Sequence, residues 1–198
     1  MVLHTLLYGQ ISAIFLKTVG AVSSVQVITF QLPNTRLSGG HVMGMSITAE
    51  EIKQAQKVWG DGIVAIGKAF TGGGDYRKAA EDHIDCLYAY GDGDVLFKPT
   101  KAADRQFRLT REGALSYFVG GNDRYPEDKG FAIHPWTRVR FENAGVILHG
   151  DCALAMGNYF FTQTDGEEIK VEYTFGYLKG LDGVLKINLH HSSLPFSG

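Results

Sequence analysis

The sequence predicts an α+β domain in which a strongly bent antiparallel sheet wraps a long N-terminal helix, making a cone with a pocket between them. Three observations predict it. Helical periodicity dominates from residue 46 to about 120. Strand alternation dominates from 131 to 193. The two textures stay segregated along the chain instead of alternating, which separates α+β from α/β folds.

The first helix, "SITAEEIKQAQKVWGDGIVAIGKAF", opens with a capping box in which Thr48 caps and Glu51 reaches back to its amide. Ile47 and Ile52 stand where a hydrophobic staple would put them. Ile52, Ala55, Trp59, Ile63, Ile66 and Phe70 recur at helical spacing and form one apolar stripe. "TGGG" ends this helix. Asp75 caps a second one carrying Ala79, Ala80, Ile84, Leu87 and Tyr88, which "GDGD" stops. "VLFK" reads as a short strand, and Pro99 limits its continuation. Thr110 caps a short third helix, "REGALSYFVGG".

Four long strands follow. In "FAIHPWTRVRFE", Phe131, Ile133, Val139 and Phe141 share one face, and His134, Trp136, Arg138 and Arg140 share the other. "NAG" reads as the turn into "VILHGDCALAMGNYFFTQ". Asp165–Gly166 is a hairpin signal. "EEIKVEYTFGYLK" sets Ile169, Val171, Tyr173, Phe175 and Tyr177 on one face. "GLDG" turns into the last strand, "VLKINLHHSS".

Composition narrows the function classes. The chain has 198 residues, 44% of them hydrophobic, enough for one buried core. With 19 basic and 21 acidic residues and a formal charge of −2, neither nucleic acid nor an anionic membrane is expected as a partner. Cys86 and Cys152 have no CxxC spacing and read as small buried hydrophobes. "TGGGD" follows a helix, so it does not fit a phosphate-cradling loop. Residues 1–45 carry only Lys17 and Arg36 as formal charges and read as a poorly ordered N-terminal extension outside the core. "LLYGQISAIFLK" lacks the basic flank of a signal peptide, although Val19–Ala21 resembles a cleavage site. Met43 and Met45 each fit a natural start. This favours a cytoplasmic protein, exported if the first 20–25 residues act as a signal. Residues 46–198 form the single folded domain.

The ending "KINLHHSSLPFSG" carries the densest chemistry. Regular alternation through Leu185, Ile187 and Leu189 turns His191 and Ser193 inward, with Lys186, Asn188, His190 and Ser192 on the opposite face. Adjacent histidines on opposite faces cannot share a metal, and a hydrolytic zinc wants about three protein ligands. His83, His134 and His149 are scattered, so no metal site is assigned. His191 and Ser193 read either as a buried hydrogen-bonded pair or as part of a catalytic pocket. Nucleophilic Ser–His chemistry would further need a carboxylate and an oxyanion hole.

"LKINLHHSSLPF", together with "REGALSYFVGGN" and "VLFKPT", resembles the iota class of carbonic anhydrases. That class is related to the association domain of calcium/calmodulin-dependent kinase II and to the nuclear-transport-factor-like cone fold. The similarity runs from Ser46 to Phe196. It implies reversible hydration of carbon dioxide to bicarbonate. Some members are described as using zinc or manganese, and others work without metal. In the metal-free members a Thr, a Tyr, a His and a Ser hold water and bicarbonate. Matched by motif, these are Thr100, Tyr117, His191 and Ser193. The motif match and the strand alternation together favour a site without a cofactor, zinc or manganese staying open, in which Ser193, supported by His191, accepts a hydrogen bond from water. Thr100 and Tyr117 hold the bicarbonate oxygens, and Leu96, Leu115 and Phe175 house carbon dioxide.

Two other readings compete. A non-catalytic oligomerisation module would use an outer sheet face bearing Trp136, Arg138 and Arg140, and a homodimer suits either function. An isomerase or cyclase would need a pocket carboxylate, for which Asp85 and Asp92 are the candidates.

Overall fold

A computed structural model describes residues 4–7, 10–18, 23–31 and 46–197. The chain divides into two compact units, Met1–His41 and Val42–Gly198. In the first, strands β1 (His4–Leu7), β2 (Gln10–Thr18) and β3 (Ser23–Gln31) pair antiparallel in that order. The Val19–Ala21 cleavage-like tripeptide and both candidate starts, Met43 and Met45, lie outside the described residues. Among the described residues, no helix is long and apolar enough to cross a membrane.

The second unit runs α1 (Ala49–Thr71), α2 (Tyr76–Leu87), β4 (Leu96–Lys98), α3 (Arg111–Val119), β5 (Arg138–His149), β6 (Cys152–Thr162), β7 (Glu168–Lys179) and β8 (Leu185–Ser193). Its sheet has the order β4-β8-β7-β6-β5. Strands β5 to β8 form an antiparallel meander, and β4 adds to β8 in parallel. Helices first and meander second is the α+β arrangement.

The helix starts are fixed by their caps. Glu51 N donates to Thr48 Oγ1 at 3.2 Å and Thr48 N to Glu51 Oε2 at 2.8 Å, closing the capping box. Asp75 accepts from Lys78 N and Thr110 from Gly113 N in the same manner. From α1, Ile52, Trp59, Ile63 and Ile66 are buried, while Phe70 at its end is half-exposed and packs edge-on against Tyr76. A Cβ on Gly60 would lie 3.0 Å from Val139 Cβ, so α1 seats closely on β5 there.

Three expectations about the strands are corrected. Residues 131–137 are not strand: Pro135 interrupts the segment, and Trp136 turns inward, buried, donating Nε1 to Phe131 O at 2.9 Å. It cannot belong to an outer stripe. "NAG" is not a turn. Strand β5 continues through it, with a register shift between Asn143 and Gly145, and the reversal comes at Gly150, φ 60°. Gly157 sits opposite this bulge, where a Cβ would collide with Glu142 O. Cys86 and Cys152 are both exposed, since Cys86 sits on an open face of α2 and Cys152 at the start of β6 beside that reversal.

The third correction decides the site. In the β7–β8 ladder Gly176 opposes Leu189 and Tyr177 opposes Ile187, leaving Asn188 as an extra residue. This β-bulge reverses the alternation of everything after it. Ile187, His190 and Ser192 are buried, and His191 is exposed. Gly176 admits the bulge because a Cβ there would stand 2.9 Å from both Asn188 Oδ1 and Leu189 Cβ. On the outer face, Leu96, Leu189, Gly176, Leu154 and Ile147 are successive cross-strand neighbours spanning all five strands. Leu96 is 59%, Leu154 47% and Ile147 65% exposed.

Candidate active site

The site is built where β8 ends beside the residues following β4. Strand pairing sets Lys98 opposite His191, and the extended X-Pro geometry of Lys98–Pro99 carries the chain on to Thr100. Thr100 Oγ1 thereby donates to Ser192 Oγ at 2.9 Å. Lys98 Nζ donates to the Ser192 carbonyl at 3.2 Å, tying the two strand ends together. Tyr117 comes from α3 and lies against the Thr100 hydroxyl and the Thr100–Lys101 backbone. Tyr159, inward-facing on β6, lies against Ser192 and Thr100.

His190 forms the back of this cluster. Its ring stacks on Phe97 at 4.5 Å and 17°, and meets Phe175 edge-on at 4.4 Å. Its Nδ1 is 2.8 Å from Tyr88 Oη and its Nε2 is 3.4 Å from Tyr159 Oη. Burial dominates the electrostatics. It drives the His190 pKa well below the ordinary histidine value, keeping the imidazole neutral. It pushes the Tyr88, Tyr117 and Tyr159 phenols above their ordinary range, so each keeps its proton. The result is a buried cluster of hydroxyl donors and aromatic rings around a neutral imidazole, with the Lys98 ammonium tied to the Ser192 carbonyl at its edge.

The sequence-assigned residues divide accordingly. Thr100 and Tyr117 are in the cluster, Phe175 is buried against His190, and Leu115 is buried in the core. His191 and Ser193 face away. Ser193 Oγ donates instead to Glu172 Oε2 at 2.8 Å on the exposed side. Leu96 also points outward, for the same reason of strand parity, and Phe97 takes the inward position. Sequence reasoning missed Tyr88, Tyr159 and Phe97. Strand parity in "GNYFF" is the signal that could have set Tyr159 facing inward with Phe161.

The metal-independent carbonic anhydrase family matches residues 50–194. The chain belongs to this family. The metal-independent carbonic anhydrase of Nostoc sp. (strain PCC 7120) is 44% identical over 158 residues, covering 78% of this chain and 77% of that protein. The crystal structure of a cyanobacterial iota-carbonic anhydrase complexed with bicarbonate is 43% identical, with a TM-score of 0.76 over 78% of this chain and 96% of that one.

The carbonic anhydrase family's description as metal-independent accords with the donor set. Among the described residues, no three His, Cys, Asp or Glu side chains converge. Neither carboxylate considered for an isomerase is in this cluster: Asp85 is held by Arg111 at 2.6 and 2.7 Å, and Asp92 by Lys186 at 2.8 Å, all at the surface. The buried Asp128 is neutralised by Arg108 at 2.8 Å and accepts from Ser116 at 2.6 Å. Tyr117 also lines a cleft of about 530 Å³ that opens between Lys101, Glu127, Lys129 and His134.

Proposed function

We infer that the cluster of Thr100, Tyr117, Tyr159, His190 and Ser192 is where this carbonic anhydrase converts carbon dioxide and water to bicarbonate and a proton. The observation that carries the reading is the Thr100–Ser192 hydroxyl pair, 2.9 Å apart beside the buried aromatic rings of Phe97, Tyr117 and Tyr159. Carbon dioxide is apolar and suits the apolar surroundings made by Phe97 and Phe175. Water attacking its carbon leaves negative charge on the bicarbonate oxygens. Preorganised O–H donors in a low-dielectric site stabilise charge that develops there more than water would. Ser192 and Thr100 orient the attacking water, and Tyr117 and Tyr159 donate to the product oxygens. The proton passes between hydroxyls to the solvent cleft beside Tyr117. His190 and Ser192 take the parts that regular alternation had given to His191 and Ser193. Stopped-flow hydration by metal-stripped protein tests this: Ser192→Ala and His190→Ala are expected to lose activity, and unchanged rates in both would overturn it.

We also propose that the sheet bends around α1 into the cone expected for this fold, and that the protein works as a homodimer. Support comes from the apolar row Leu96–Leu189–Leu154–Ile147, with exposed Met156 beside it, a surface of the kind that marks protein interfaces. This row replaces the Trp136–Arg138–Arg140 stripe, because Trp136 is buried and Arg140 is held by Glu142 and Glu168. Light scattering should give a dimer for the wild type and a monomer for Leu154→Asp; a monomeric wild type would overturn it. A cytoplasmic location remains our reading, which a mature N-terminus near Ala21 in natively expressed protein would reverse.

A further inference from the structure

Behind His190 lie two buried polar groups, Trp59 and Tyr88, that the reaction above does not use. Trp59 Nε1 donates to Tyr88 Oη at 2.9 Å, and Tyr88 Oη stands 2.8 Å from His190 Nδ1. On the far side of the ring, His190 Nε2 faces Tyr159 Oη at 3.4 Å. Trp59 and Tyr88 are each 1% exposed and His190 2%, so water does not complete these bonds.

The direction of the chain follows from donor chemistry. An indole N–H can only donate, whereas a phenol both donates and accepts. Tyr88 therefore accepts from Trp59. Its own proton has one hydrogen-bonding neighbour left, His190 Nδ1. Were Nδ1 protonated as well, two donors would converge on the Tyr88 oxygen and the phenol proton would be buried without an acceptor, an expensive arrangement. So Nδ1 is the accepting nitrogen. A neutral imidazole carries one proton, which must then sit on Nε2, facing Tyr159.

We propose that Trp59, acting through Tyr88, fixes the tautomer of His190, so that Nε2–H donates to Tyr159 and directs the Tyr159 hydroxyl toward Ser192 and Thr100. Trp59 and Tyr88 are then positioning residues, and resting His190 is an orienting donor, not a base toward substrate. The inference rests on the site assignment above for its catalytic meaning, but the tautomer itself does not.

Long-range ¹H–¹⁵N correlation on ¹⁵N-histidine-labelled full-length protein tests it. The chain has seven histidines, and His190→Gln identifies the signal. The expected wild-type pattern is a protonated Nε2 and a bare Nδ1. Nδ1–H, or protons on both nitrogens, would overturn the proposal. Tyr88→Phe removes the donor to Nδ1, so an Nδ1–H population should appear, with kcat reduced on the order of tenfold and KM little changed. Trp59→Phe should act in the same direction. A Tyr88→Phe protein that folds but keeps the wild-type tautomer also sinks the idea, and if neither variant folds the wild-type spectrum still decides. If Ser192→Ala retains full activity while the Nε2–H tautomer is found, the site assignment has failed and the tautomer argument has not.

Discussion

Thr100 and Ser192 bring their hydroxyls within 2.9 Å of each other from positions 92 residues apart in the chain. They meet because β4 joins β8 in parallel, so both chains reach the same end of the sheet together. Ser192→Ala is expected to lower kcat/KM on the order of 10²-fold, the scale of losing one preorganised group in a dry site, and Thr100→Val similarly. Ser193→Ala and His191→Ala, on the exposed side, should stay within about twofold of wild type. Stopped-flow assays of the four variants side by side check this; a larger loss for Ser193→Ala than for Ser192→Ala would restore regular alternation.

Chelator treatment should leave hydration unchanged. The measurement is activity before and after dialysis against a strong chelator, with metal content determined on the same samples. Activity that disappears and returns with zinc or manganese would contradict it.

Stability should fall on mild acidification. His83 is buried against Trp59 and Phe118, and its Nε2 has no partner. Burial lowers its pKa from 6.5 to about 4. The unfolded chain then binds a proton that the folded chain refuses throughout that window, so stability is full above about pH 6.5 and is lost as pH falls toward 4. The loss from this group is up to about 3 kcal/mol, at 1.36 kcal/mol per pKa unit. His190, lowered by burial, adds in the same direction. Urea unfolding across this range checks the slope, and His83→Leu should flatten it.

The two glycines at the β5 bulge should respond in opposite ways to alanine. At Gly157 a Cβ would strike Glu142 O, and the backbone must move; a loss of about 1–3 kcal/mol is expected. At Gly145 the same atom meets nothing within 4 Å, and the change should be nearly neutral. Thermal melts of both variants test this.

The helices were legible because their signals are local. Thr48 and Glu51 lie within one turn, and Ile52, Trp59, Ile63 and Ile66 repeat at the helical period. Tyr173, Phe175 and Tyr177 were legible by parity, since no extra residue interrupts β7 between them. Parity failed wherever the ladder gained a residue. Asn188 reversed the assignment of the four residues in "HHSS", and the bulge after Asn143 concealed the course of β5. Both bulges depend on a glycine in the neighbouring strand, Gly176 or Gly157, and such a partner is invisible until the strands are paired. The parallel docking of β4 is likewise a long-range fact, which is why Leu96 rather than Phe97 was placed inside.

The chain has two tryptophans, and each stands beside a different histidine. Trp59 is 5.6 Å from the His190 ring, and Trp136 is 4.2 Å from the ring of His134 at the cleft. The molecule thus carries two unlabelled optical probes, one against His190 and one against His134, which lines the cleft. In Trp136→Phe all remaining indole emission originates beside His190, so on the proposed site assignment the arrival of bicarbonate can be followed by light from within the enzyme.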